Sequence, residues 1–244
     1  MKNTSRLSIL LIAGFVVLAI FMSSCGEPCI EGNGTMRTED RVVNNFSSVV
    51  LSGDMDVFII QDTITEVIVQ GDENLLPYVL TENRSTGTLE IRNANNRCLR
   101  SSSPIKVTVR TPDIFRVTNA GSGYVSCDYV FNNRFDVILS GSGEIDCYKL
   151  DTRDLKVTLS GSGRITMQGK TLTSDMLISG SGRIKAFDMD QDECYINITG
   201  SGDAYVFVFD YLNVKIPGSG SVFFRGAPDL DYRIDGSGRV VDSN

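Results

Sequence analysis

The sequence predicts an all-β protein, a parallel solenoid that completes one coil every 18–20 residues. Two observations predict it. The tripeptide Gly-Ser-Gly begins at Gly121, Gly141, Gly161, Gly180, Gly200, Gly218 and Gly236, at intervals of 20, 20, 19, 20, 18 and 18 residues, and a fixed period of this length marks a repeat architecture. Around each triplet the residues alternate apolar and polar, the period of a strand with one face buried.

The ladders follow from counting the first glycine of each triplet as zero. Position −2 reads Asn119, Leu139, Leu159, Ile178, Ile198, Ile216, Ile234, and position −4 reads Val117, Val137, Val157, Met176, Ile196, Val214, Tyr232. Position +4 reads Val125, Ile145, Ile165, Ile184, Ala204, Val222, Val240, and position +6 reads Cys127, Cys147, Met167, Ala186, Val206, Phe224, Asp242. The unit is too short for a propeller blade and has no leucine-rich or helical-repeat pattern. It suits one coil, with equivalent residues stacked about 4.8 Å apart. Gly121, Gly123, Gly141, Gly143, Gly161, Gly163, Gly180, Gly182, Gly200, Gly202, Gly218, Gly220, Gly236 and Gly238 are then corner residues, expected at positive φ. At +3, outward, Glu144 meets Arg164 and Arg183 meets Asp203 on neighbouring coils.

Before the triplets the chain divides into three parts. Lys2 and Arg6 precede an apolar run from Leu7 to Phe21; at 1.5 Å per residue it covers about 22 Å, short of a bilayer core of about 30 Å. That length reads as a secretory leader. Met22-Ser-Ser-Cys25-Gly26 has the form of a lipobox, so residues 1–24 are expected to be removed and Cys25 acylated, anchoring the chain to a membrane. Residues 25–41 read as a lipidated tether. Residues 42–118 keep strand texture without the triplet, and are expected to be irregular coils of the same β-helix domain, whose regular part spans 119–244; the alternative is a small separate sheet. Val49-Val-Leu-Ser-Gly53 is a degenerate copy of Val137-Ile-Leu-Ser-Gly141.

Composition excludes much chemistry. The 244 residues hold 23 Lys+Arg against 30 Asp+Glu and no histidine. Removing Lys2 and Arg6 with the leader leaves 21 against 30, so no basic face is expected for nucleic acid. Without imidazole there is no Ser-His-Asp or Cys-His catalysis. No cofactor or metal site is predicted. An exported chain permits disulfides; Cys29 with Cys98 is one pairing that would tie the tether to the body, and Cys127 with Cys147, one coil apart, is another unless both are simply core.

Phe46-Ser-Ser-Val-Val-Leu-Ser-Gly-Asp-Met-Asp-Val-Phe58, Gly71-Asp-Glu-Asn-Leu-Leu76 and the serial triplets together resemble the auto-transporter adhesin head GIN domain family, from about Phe46 to Val241. The resemblance implies a right-handed, single-stranded β-helix shaped like the pectin lyases, commonly on bacterial lipoproteins of the outer membrane or cell surface. It also implies that no catalytic residues are established for the family, and adhesion is the role its architecture suggests.

Candidate sites are few. A glycine triplet can cradle an anion, but seven in register read as corners, with their serines as an outer hydroxyl ladder. The acidic run Asp188-Met-Asp-Gln-Asp-Glu193 suits either calcium or a solvated loop between coils. Tyr205, Phe207, Phe209 and Tyr211 form the densest aromatic stretch and are the candidate binding surface for a glycan or for a host or envelope protein. The expected function is therefore non-enzymatic: a lipid-anchored protein presenting a repetitive surface. The alternatives are a polysaccharide lyase or hydrolase on the same solenoid, or a structural subunit of an envelope complex. The open strand at a coil end also suits homo-oligomers.

Overall fold

The computed structural model describes residues 28–84 and 87–244; the leader over 1–24 and Cys25 lie outside the described residues. The strands in chain order are β1 (Ile30–Glu31), β2 (Met36–Arg41), β3 (Ser48–Ser52), β4 (Asp56–Gln61), β5 (Glu66–Asp72), β6 (Val79–Arg84), β7 (Thr88–Asn93), β8 (Leu99–Arg100), β9 (Lys106–Thr111) and β10 (Arg116–Asn119). Then come β11 (Tyr124–Cys127), β12 (Val130–Leu139), β13 (Glu144–Leu159), β14 (Arg164–Ile178), β15 (Arg183–Ile198), β16 (Asp203–Ile216), β17 (Ser221–Arg225), β18 (Asp229–Ile234) and β19 (Arg239–Asp242). The described chain contains no α-helix and so no helix able to cross a membrane.

The strands stack into two parallel ladders joined by two corners, a β-solenoid. The sheet entered after each triplet runs β9, β4, β11, β13, β14, β15, β16, β17, β19. The sheet that returns to the next triplet runs β7, β3, β10, β12, β13, β14, β15, β16, β18. The long strands β13 to β16 bend around the second corner and serve both. Each apolar ladder is in the register expected: Val117, Val137, Val157, Met176 and Ile196 are successive partners, as are Val125, Ile145, Ile165, Ile184, Ala204, Val222 and Val240. Nearly all are fully buried, each worth roughly 1.5–3 kcal/mol against exposure. Asn119, the polar member of its ladder, spends its side chain on the corner: Nδ2 donates to the Gly123 carbonyl at 2.8 Å, and Oδ1 accepts from Gly121 N–H at 3.1 Å.

The triplets form the first corner, but not for the expected reason. Among the described glycines positive φ occurs at Gly34, Gly87, Gly169 and Gly226, none of them in a triplet. What glycine provides is closeness. A Cβ on Gly141 would lie 1.8 Å from the Gly121 carbonyl oxygen, and one on Gly143 would lie 2.2 Å from that of Gly123. The coils touch backbone to backbone here, and the Gly180 carbonyl accepts from Ser201 N–H at 3.0 Å and Gly202 N–H at 3.1 Å.

The N-terminal third departs from a simple series of coils. β3 and β4 form a true coil through Gly53, as the degenerate copy implied, and β7 with β9 forms another. The later pair lies outside the earlier one, however, so β3 sits between β7 and β10. Antiparallel strands then close this end: β6 lies on β7, β5 on β9, and β2 on β5. Glu66–Asp72 is thus a cap strand rather than a coil. Capping removes a parallel edge that would otherwise recruit other chains. The stretch read as tether is also folded from residue 28, with β1 paired to β8 and Cys29 bonded to Cys98.

Asp72 holds that junction. Its buried carboxylate accepts from Gly34 N–H at 2.7 Å, Ser101 O–H at 2.6 Å, and Ser102 N–H and O–H at 2.8 Å each. These donors, the Ser101 hydroxyl foremost, hold its carboxyl down at about 2.

Candidate functional site

The second corner, opposite the glycine seam, absorbs the variation in coil length. Between β15 and β16 the register jumps from Ala186↔Val206 to Asp190↔Phe207, and from Gln191↔Val208 to Glu193↔Tyr211. The first shift removes three residues from the later coil and the second restores one. The net loss of two is the difference between a 20- and an 18-residue repeat. Here the backbone is irregular: Lys149 has φ 51° and Gly169 φ 127°.

The inside of this corner is polar. Asn132, Thr152, Thr171 and Gln191 are stacked partners, the last three buried. Thr171 O–H donates to the Arg153 carbonyl at 3.1 Å, Ser174 O–H to Gln191 Oε1 at 2.6 Å, and Gln191 Nε2 to the Phe207 carbonyl at 3.2 Å. Such bonds satisfy groups that would otherwise be buried without partners.

Outside it, an open groove of about 450 Å³ runs along the stack. One wall carries Phe131, Asp151, Lys170 and Asp190, in register on successive coils. The other carries Arg153, Leu172 and Asp192, and Phe209 lies at the β16 end. From β12 to β16 the groove spans four strand spacings, about 19 Å. Phe131, Leu172 and Phe209 are 60%, 51% and 47% exposed, unusual for side chains of this size. Lys170 pairs with Asp151 at 3.1 Å, leaving Asp190 and Asp192 against Arg153 and a slightly acidic surface.

The four aromatic residues read as one surface are distributed around the corner. Phe209 lines the groove, with Phe207 edge-on to it at 4.9 Å. Tyr205 belongs to a different row, stacked on Phe223 at 4.8 Å and edge-on to Phe187 at 5.5 Å, with Arg225 over the Phe187 ring. Tyr211 packs against Tyr195 on the returning sheet. The acidic run is not a loop: it lies within β15, Met189 and Gln191 pointing in while Asp190 and Asp192 reach the groove. Among the described residues no three acidic or cysteine side chains are placed to hold a metal ion. Phe131 and Leu172 were not singled out in the sequence; the signal available was an apolar residue where the outward parity calls for a polar one.

The glycine seam is a different surface. Its serines, Ser122 to Ser237, are exposed, and a polar hollow of about 330 Å³ runs between Ser142, Ser162 and Ser181. Glu144 is bonded to Arg164, and Arg183 to Asp203 at 3.8 Å, as the +3 register implied. These charges satisfy one another. Cys127 and Cys147 are free, fully buried thiols in one ladder; the Cys147 thiol is pushed up by its neighbour Cys127 and by burial.

The family described as "Putative auto-transporter adhesin, head GIN domain" matches residues 45–228. The chain belongs to this family. No curated protein matches it. Among solved structures, the same fold recurs in a "putative adhesin" from Bacteroides fragilis, with TM-score 0.81 and 20% identity over 86% of this chain and 98% of that one. A "putative lipid binding protein" from Parabacteroides distasonis follows at TM-score 0.71 and 25% identity, over 88% and 100%. A "putative adhesin" from Parabacteroides merdae has TM-score 0.70 and 21% identity, over 87% and 99%.

Proposed function

We propose that this head GIN domain protein is a non-enzymatic, lipid-anchored adhesin of the bacterial cell surface that holds an extended, uncharged glycan in the second-corner groove. The groove carries the reading. Its exposed phenyl rings offer flat faces for the C–H surface of sugar rings, and Asp190, Asp192, Asn132 and Asn133 line it with groups that bond hydroxyls. Its surplus of carboxylates disfavours anionic polymers. The whole is built on strands rather than loops, which fixes the spacing of the contacts. The lipobox at Cys25 supports the anchor, and family membership supports the surface location.

The test is a binding screen of the protein on immobilised neutral polysaccharides, acidic polysaccharides and phospholipid vesicles, each well also assayed for released fragments. Saturable retention on neutral polysaccharide without fragments is expected. Fragment release would overturn the non-enzymatic reading in favour of a lyase or hydrolase. Retention on vesicles alone would move this chain towards the lipid-binding description of the Parabacteroides distasonis structure. Silence in every well would favour a structural envelope subunit.

A further inference from the structure

The two ends of the solenoid differ. At one end β6, β5 and β2 close the stack in antiparallel fashion. At the other, among the described residues, β18 pairs with β16 on one side only and β19 with β17 on one side only. The interior positions there are uncovered. Tyr232 occupies the ladder of Val117, Val137, Val157, Met176, Ile196 and Val214, all of them buried, yet is 56% exposed. Leu230 and Ile234 beside it are only partly buried.

We propose that β18 is the interface of a symmetric dimer, adding antiparallel to the same strand of a second copy about a two-fold axis at Tyr232. The charge pattern of the strand carries this. In that register Leu230 faces Ile234 of the partner subunit on the interior side, and Asp231 faces Arg233 of the partner subunit on the outer side. Symmetry makes each contact twice. Directly opposed residues of antiparallel strands share a face, so opposite charges there attract and like charges repel. Centring the pair on Asp231 or on Arg233 sets that residue against its own copy. Centring it on Ile234 draws Asp235, beyond the end of β18, into the pair and leaves Leu230 without a strand residue opposite. The Tyr232 register alone keeps residues 230–234 paired within the strand. The side chains are already held on the outer face: Asp231 accepts from Asn213 Nδ2 at 2.9 Å, and Arg233 lies 2.9 Å from Asp235. The like pair that this register makes, Asp229 with Asp235 of the partner subunit, falls at the margin where Arg233 neutralises Asp235.

The experiment combines cross-linking with charge exchange in the purified protein. Tyr232→Cys should form a covalent dimer under mild oxidation, and Ser237→Cys, exposed at the glycine corner, should not; Cys127, Cys147 and Cys194 are buried. In sedimentation velocity Asp231→Arg and Arg233→Asp should each weaken the dimer by about tenfold or more. Their equimolar mixture and the double exchange should each restore it, which separates lost pairing from lost folding. A protein that stays monomeric throughout the micromolar range overturns the proposal. So does a dimer indifferent to both single reversals, or one that cross-links equally through Ser237→Cys.

Discussion

Gly161 lies directly above Gly141, so close that a Cβ on Gly161 would come within 1.8 Å of the Gly141 carbonyl oxygen. The same relationship links each triplet to the one below. It makes the seam a continuous stack of backbone, and it explains why the period is so visible: a side chain has no room at either glycine of a triplet.

Gly161→Ala should therefore be severely destabilising, by about 3 kcal/mol or more, because the obstacle is backbone that cannot step aside. Gly34→Ala offers the contrast. Nothing lies within 4 Å of a Cβ there, but φ is +74°, so the cost should be only about 1 kcal/mol of local strain. Urea denaturation of the two variants checks the order.

Asp72 predicts an acid response of the cap. Its carboxyl sits at about 2 rather than the ordinary 3.8, so its stabilisation is complete above the ordinary value and disappears as pH falls from there through the folded value. The Tm gap between the parent and Asp72→Asn should be constant from pH 7 to 5 and shrink between pH 4 and 2. A gap unchanged at pH 2 would contradict the clamp.

The Cys29–Cys98 bridge closes a sequence separation of 69 residues, and by loop entropy it stabilises by up to about 4 kcal/mol. Cys98→Ser should lower the urea midpoint while leaving the Gly-Ser-Gly coils protected in hydrogen exchange. The loss should concentrate in β1, β2 and β5.

The three free thiols among the described residues should be inert. Cys194, fully buried, is pushed up to about 12 by burial, which outweighs the Ser174 hydroxyl beside it, and Cys127 and Cys147 are equally enclosed. Peptide mapping after iodoacetamide should find all three unmodified in the native protein and modified after unfolding.

The ladders were legible because each coil repeats the same inward residues at the same distance from a glycine corner. Direction was not. Val67 and Val69 in β5 turn inward at every second residue just as Val157 and Leu159 do, and that period is the same for antiparallel and parallel strands, so the cap looked like another coil. The second corner was hidden for a different reason. Its inward row is Thr152, Thr171 and Gln191, which break the apolar pattern, and its changing residue count shifts Phe209 and Asp190 out of any fixed register. The seam glycines stand at the first corner because the coils touch there backbone to backbone, a cause that needed the stack itself.

The groove is tested by the affinity of Phe209→Ala and Tyr205→Ala for the neutral polysaccharide that the parent retains, measured by titration calorimetry. Phe209 lines the groove and Tyr205 stands in the row outside it. Phe209→Ala should lose about tenfold or more in affinity, the cost of one aromatic contact, and Tyr205→Ala should bind like the parent. Unchanged binding by Phe209→Ala together with loss in Tyr205→Ala would rule out the groove and move the site to the Phe187, Tyr205 and Phe223 row.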